Sequence, residues 1–356
     1  MRRILITALL LPGLFCPSAN AYGPRGHKMV GAIADKRLSG QATATKINQL
    51  LDGISLADAA LLPDQIKTWD RQPNAPIATL AGHDNLRDQL RDFVNANPDH
   101  GATAHHPSHH WFHFVDVPVG GTSLYESGPV GRSDSDVVQM ISYCIAVVRG
   151  EEDENNDRKI TKPVALILLS HYVGDIHQPL HVGAQYFNAS GQPSNPDQGG
   201  QALGDQGGNN LHLLFHPAAV PPAHAGSRPL ELHGYWDDDA VNVAVSLLKA
   251  DTALHIPPHA NDTQIAALLA THTPTGWEMT EPDVTKWSVL WANEIMPTAN
   301  KAHSDLQYQS IQVHGQAVKG DAVANGSTYP KWAGGVVKDE LHKAGWRLAD
   351  LLTRIL

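Results

Sequence analysis

Apolar positions along this chain recur at three- and four-residue spacing far more often than they alternate, the period of helices packed on one face. Gly26 to Leu38 reads as an amphipathic helix, with Met29, Ile33 and Leu38 among its apolar positions. Thr45 to Leu51 and Leu56 to Trp69 are predicted helical too, the second interrupted near Pro63, which lacks a backbone N–H. Residues 70–82 form a Pro- and Ala-containing loop, and Asp84 to Asn95 the next helix. From Asn97 the chain is a polar loop dense in histidine, expected to be solvated. It ends in an apolar, extended run, Trp111 to Val117. Ser133, a good N-cap, opens a helix that runs to Arg149, and Glu151 to Lys159 is a charged loop. An apolar helical run follows from Thr161 and stops at Pro179. Residues 184–210 are Gly-, Gln- and Asn-rich and aperiodic, hence a surface loop. Further helices are predicted at Asp237 to Leu248, Asp262 to Ala270, Asp283 to Asn300 and Val336 to Leu356. Strand-like runs are few and short, so the class is mainly α, one compact helical domain with long loops.

The first 21 residues break this pattern. Arg2 and Arg3 precede an apolar stretch, Ile4 to Phe15, too short to span a bilayer, and Ala19-Asn20-Ala21 is a small-residue cleavage site. Residues 1–21 are therefore expected to be a signal peptide, and 22–356 an exported domain, secreted or periplasmic. Neither a stable membrane association nor an oligomer is expected. Cleavage leaves Cys144 as the single cysteine, so no internal disulfide can form. Removing Arg2 and Arg3 leaves 24 Lys and Arg against 36 Asp and Glu, a formal charge of −12. That excludes a broad basic groove as the means of gripping nucleic acid. If the protein handles phosphodiesters, bound cations must supply the local positive charge. The 21 histidines are the outlier from which ligands can be drawn.

One stretch concentrates that chemistry: Leu168-Leu169-Ser170-His171-Tyr172-Val173-Gly174-Asp175-Ile176-His177-Gln178-Pro179-Leu180-His181. His171 and Asp175 are four apart and project from one helix face, while His181 follows just past the break. Imidazole with carboxylate suits a borderline cation such as zinc. His233-Gly234-Tyr235-Trp236-Asp237 repeats the spacing. His177, between the ligands, is expected to pack behind them, and Cys144 to be inert core.

With His27, Asp64 and His113 added, the ordered pattern resembles the fungal-type, single-strand-specific zinc nucleases, a mainly helical fold shared with bacterial zinc phospholipases C. The matching pieces run from Tyr22-Gly-Pro-Arg-Gly-His27 to a closing helix around Lys343 to Ala349. The resemblance implies three zinc ions. Asp64, His113, His171 and Asp175 would hold the first, and His181, His233 and Asp237 the second. His27, Asp175 as a bridge, and the main-chain amine and carbonyl of Tyr22 would hold the third. The family normally starts on Trp where this chain has Tyr22, which changes packing but not the main-chain ligands. The resemblance makes Asp64, Lys67 and Asp175 catalytic and places Lys67 beside the scissile phosphate. Phe114 would stack on a base and Asp116 would read it, beside Gly207-Gly208-Asn209, with Gly207 and Asn209 lining the pocket. The implied activity is hydrolysis of single-stranded DNA and RNA to 5′-nucleotides, with 3′-nucleotides as further substrates. A zinc phospholipase C and a non-catalytic zinc-binding protein are the alternatives.

Overall fold

The computed structural model describes residues 22–100, 107–216 and 229–356. The expected signal peptide, and His105 and His106 of the histidine-dense loop, lie outside the described residues. The chain is mainly helical. Helix α1 (Gly23–Leu38) is followed by α2 (Ala42–Leu50) and by α3 (Leu56–Ala59), α4 (Leu62–Gln65) and a 3₁₀ turn, Ile66–Asp70. These last three replace the predicted run from Leu56 to Trp69, and Pro63 falls in the first turn of α4, where a missing N–H is harmless. Then come α5 (Asp84–Ala96), a 3₁₀ turn His109–His113, α6 (Val137–Arg149) and α7 (Lys162–Asp175). The N-cap of α6 is Asp136, not Ser133. Its carboxylate accepts the Val138 and Gln139 amides and also that of Ser133.

Helix α7 organises the rest. Every residue from Val164 to Asp175 is buried, as an all-round apolar helix requires. The Thr161 hydroxyl accepts from the Val164 amide at its start, and α1, α3, α4, α5, α6 and α12 (Tyr329–Ile355) pack around it. Its C-terminal end, carrying His171 and Asp175, therefore opens inside the protein. Gly174 lets α1 come close, since a Cβ there would stand 2.9 Å from His27 Nδ1.

Short strands align the ligand-bearing loops. The run expected to be extended from Trp111 is a turn through His113 and becomes extended only at Phe114. Strand β1 (Val117–Pro118) then pairs in parallel with β2 (Gly183–Ala184). The Val115 amide bonds the His181 carbonyl at 2.8 Å, which fixes the His113 segment against the His181 segment. The loop at 184–210 is tethered rather than free. Strand β3 (Tyr186–Phe187) pairs with β4 (Leu203–Gly204), and Tyr186, Phe187, Asp205, Gly207 and Gly208 are buried. Strand β5 (Leu211–His216) leads on to α8 (Leu232–Gly234), a π turn Tyr235–Asp239, α9 (Ala240–Ala250), α10 (Asp262–Leu269) and α11 (Trp287–Ser304).

Two nine-residue strands, β6 (Leu306–His314) and β7 (Ala317–Asn325), went unpredicted, and α12 begins seven residues before Val336. With β5 they form a sheet ordered β5-β7-β6, parallel then antiparallel. An irregularity between Gln309 and Gln312 moves the apolar phase from Leu306 and Tyr308 to Ile311 and Val313. A one-residue phase change erases the period-two signal. A single contiguous set of buried residues runs from Tyr22 to Ile355.

Candidate metal centre

Donor atoms from six segments converge where α7 ends. His113 Nδ1 lies 3.0 Å from His171 Nε2 and 3.1 Å from Asp175 Oδ2, and His171 Nε2 lies 3.3 Å from the same oxygen. Asp64 Oδ1 stands 3.9 Å from His113 and 3.8 Å from His171, while the Lys67 ammonium bonds it at 2.7 Å. The other Asp175 oxygen faces His27 Nε2 at 3.3 Å, and the His27 ring stacks on that of His171 at 3.7 Å. On the other side His233 Nε2 lies 3.0 Å from His181 Nε2 and 3.3 Å from Asp237 Oδ2. Asp237 sits in the π turn, an insertion that widens the helix while keeping its carboxylate over His233. Two of the expected sets, Asp64/His113/His171/Asp175 and His181/His233/Asp237, are thus assembled as convergent groups.

Hydrogen bonds behind the rings set their orientation. His171 Nδ1 donates to the Ala60 carbonyl at 2.7 Å, His181 Nδ1 to that of His113 at 2.7 Å, and His233 Nδ1 to that of Gly207 at 2.8 Å. Each bond places the proton on Nδ1 and leaves the Nε2 lone pair facing the centre, the arrangement of a metal-ligating histidine. Burial drives the His113, His171 and His181 rings well below the usual imidazole range and His233 down to about 4, so all four are neutral. Burial also pushes Asp175 up to about 7 and Asp237 well above its usual value. Facing lone pairs at 3.0 Å and buried carboxylates repel unless a cation lies between them. Both His27 nitrogens and Asp175 Oδ1 are buried without a hydrogen-bond partner. This donor set of imidazoles and carboxylates fits zinc.

Tyr22 is wholly buried in a left-handed conformation. Its backbone nitrogen lies 3.2 Å from Asp237 Oδ1, its carbonyl accepts the Gly26 amide, and its phenol donates to the His177 carbonyl at 2.5 Å. The phenol thus takes up a partner of its own. His177 is packed behind the ligands as expected: Nδ1 donates to Val173 and Nε2 accepts from Arg347. Two supporting residues escaped the sequence reading. Gln178 donates to Asp237 Oδ1 at 2.9 Å, and Arg347 also holds Glu294. Gln178 lies between two ligand histidines, a position that could have flagged it. Cys144 is buried, and burial raises its thiol well above the usual range.

The expected pocket residues are less uniform. Phe114 and Asp116 are half-buried at the mouth of the His113 turn, and burial pushes the Asp116 carboxyl up to about 7. Gln206, Gly207 and Gly208 are three successive left-handed residues, which accounts for the double glycine. The close approach that Gly207 permits is to the Leu180 carbonyl, 2.2 Å from where a Cβ would sit, and its own carbonyl holds His233. Asn209 donates to the Gln206 carbonyl at 2.9 Å within its own loop. Gly207→Ala is therefore expected to loosen His233, costing at least tenfold in metal affinity, the usual range for a residue behind a ligand. Competition with a chromogenic chelator measures it.

Comparison with known proteins agrees with this geometry. The family model described as S1/P1 Nuclease matches residues 22–356. The chain belongs to the S1/P1 nuclease family. Endonuclease 4 of Arabidopsis thaliana is 25% identical over 363 residues, covering 99% of this chain and 93% of that protein. Endonuclease 2 of the same plant is 22% identical over 369 residues, covering 99% and 96%. Endonuclease 5 is 26% identical over 216 residues, 61% of this chain and 59% of its own. The S1/P1 chain is accordingly a nuclease, a hydrolase of phosphodiester bonds in nucleic acid, in a zinc-dependent family of all-α fold. The phospholipase and non-catalytic zinc-binding readings give way to it. Among the described residues no helix is long and apolar enough to cross a membrane.

Proposed function

We propose that this S1/P1 nuclease is an exported endonuclease that hydrolyses single-stranded DNA and RNA to 5′-nucleotides through three zinc ions, and that it also removes 3′-phosphates. The observation that carries the reading is Asp175. Its two oxygens face different groups, His113 with His171 on one side and His27 on the other, so one carboxylate would serve two ions. Asp64, His113 and His171 complete one site with Asp175. His181, His233 and Asp237 form the next. His27, Asp175 and the main chain of Tyr22 form the third. Zinc held there supplies an activated water near neutral pH and takes up charge on phosphoryl oxygens.

The remaining work falls to the chain's own side chains. Lys67, buried and paired with Asp64, puts a positive charge beside the reacting phosphate and offsets charge in the transition state. Phe114 offers a flat ring to an unpaired base, and a duplex base already stacked on its neighbours cannot use it. Asp116, with a carboxyl pushed up to about 7, can donate as well as accept at a base edge at neutral pH. Asn209 has its amide nitrogen engaged by Gln206, which leaves its oxygen for a base or ribose.

Zinc-loaded protein is expected to cleave a single-stranded oligonucleotide within its length to 5′-phosphate products, to leave a duplex of the same sequence largely intact, and to spare phosphatidylcholine. Equal rates on the two nucleic acids would remove the single-strand assignment. Phe114→Ala should weaken oligonucleotide binding by about 1–3 kcal/mol, the range for one stacked base, with zinc content unchanged. Loss of zinc in that variant would make Phe114 a structural residue.

A further inference from the structure

The histidine-dense loop was expected to be solvated, yet its last two members are folded inward. His109 is 1% exposed, and His110 opens only partly to solvent. Both Nε2 atoms lie 2.8 Å from one and the same oxygen, Asp70 Oδ2, while Asp70 Oδ1 takes the Asp99 amide. Neither histidine nor Asp70 belongs to the centre described above.

The placement follows from two facing 3₁₀ turns. Lys67 and Asp70 are three apart on one turn, as are His110 and His113 on the other, and at that spacing 3₁₀ side chains share a face, while Asp64 lies just before, in α4. Asp64 opposite His113 is the rung inside the catalytic centre. Asp70 opposite His109 and His110 is the next rung outward, with Lys67 between the two carboxylates in sequence. The outer rung repeats the donor set of the inner groups, two imidazoles and one carboxylate.

We propose that Asp70, His109 and His110 form an additional divalent-cation site of zinc type, separate from the catalytic cluster and reached from solvent past His110. Three donors meeting within 4.8 Å of one another match the compact arrangement of the His181/His233/Asp237 group. His109 and His110 hydrogen bonds outweigh the opposing effect of burial and hold Asp70 below the usual carboxylate range, so the anionic ligand is present throughout the neutral region. Burial lowers His109, which keeps that ring neutral. Binding would need each ring to carry its proton on Nδ1, so that the Nε2 lone pairs now at Asp70 turn to the cation, with water completing the coordination. The site would pin the His109–His113 turn, and with it His113 and Phe114, to the Lys67 turn.

The test counts ions. Metal-stripped full-length mature protein is titrated with Co(II), read by visible absorption, and with zinc against a fluorescent chelator. His110→Ala, at a partly open position, should bind one ion fewer than the unaltered protein. Asp175→Asn should lose ions from the catalytic cluster yet keep the ion that His110→Ala abolishes. Circular dichroism of both variants confirms that they are folded. Equal stoichiometry in His110→Ala and the parent overturns the proposal and leaves the three residues as a hydrogen-bonded clamp. Failure of the nuclease reading would appear separately, as absence of strand cleavage by the fully loaded parent.

Discussion

Asp175→Ala is expected to lower the rate of single-strand cleavage by about a hundredfold or more, the upper end for groups that merely support a ligand, and to remove more than one zinc per chain. The two oxygens of Asp175 address two groups. One oxygen stands against His113 and His171, and the other against His27. Truncation leaves three imidazoles with converging lone pairs and removes the carboxylate they share, while Asp64, 3.9 Å from His113 and 3.8 Å from His171, is already paired with Lys67. His177→Ala is the matched control. That ring is as deeply buried, but Val173 and Arg347 already occupy both its nitrogens, so it has nothing to offer a metal. Its loss should cost stability, about 1–3 kcal/mol for the Arg347 donor left short of a partner, while zinc content stays whole. Elemental analysis beside a steady-state rate separates the two residues. Comparable losses of zinc from both variants would mean that the ligand assignment is wrong.

That contrast between Asp175 and His177 was legible in the chain because both lie on or beside one helix, where spacing alone fixes direction. The His-x3-Asp pairs and the apolar run of α7 are local signals that the structure reproduces, although the helix ends at Asp175, four residues before the expected stop at Pro179. Features that depend on partners far along the chain were not legible. Nothing near Asp70 announces that it will meet His109 and His110 nearly forty residues later, so the histidine-dense loop looked merely solvated. The same holds for the partners of Gly207. In the fold its carbonyl serves His233 and its missing side chain clears Leu180. The hairpin of β6 and β7 failed for a different reason. Its strands carry few apolar residues, and the irregularity at Gln309–Gln312 breaks what alternation they have. The π turn at Tyr235–Asp239 likewise has no local marker, although the spacing of His233 to the Asp237 it carries was legible.

A protein that retains one extra residue before Tyr22 is expected to lose activity by at least about tenfold, with one zinc fewer per chain and little change in melting temperature. An α-amino group has a pKa of about 7.7–8.0, so a metal can displace its proton near neutrality. An amide nitrogen in the same place has no lone pair to give. Tyr22 is already built into the centre, with its nitrogen 3.2 Å from Asp237 Oδ1 and its phenol on the His177 carbonyl. Its side chain is fully buried, and Gly23 runs so close to Asp238 that a Cβ would stand 2.3 Å from that carboxylate. Tyr22 therefore cannot swing away to make room without dismantling the start of α1. If the proposed export holds, cleavage after Ala21 would complete the active centre and keep the nuclease silent before it leaves the cell. The comparison needs two preparations whose N-termini are checked by mass spectrometry. One keeps a methionine in front of Tyr22, and the other is released from a cleavable leader to begin at Tyr22. Release should restore both the missing ion and the rate. If the methionyl protein instead cleaves single strands at full speed with a full complement of zinc, the free amine is not a ligand and the third site must be drawn from side chains alone.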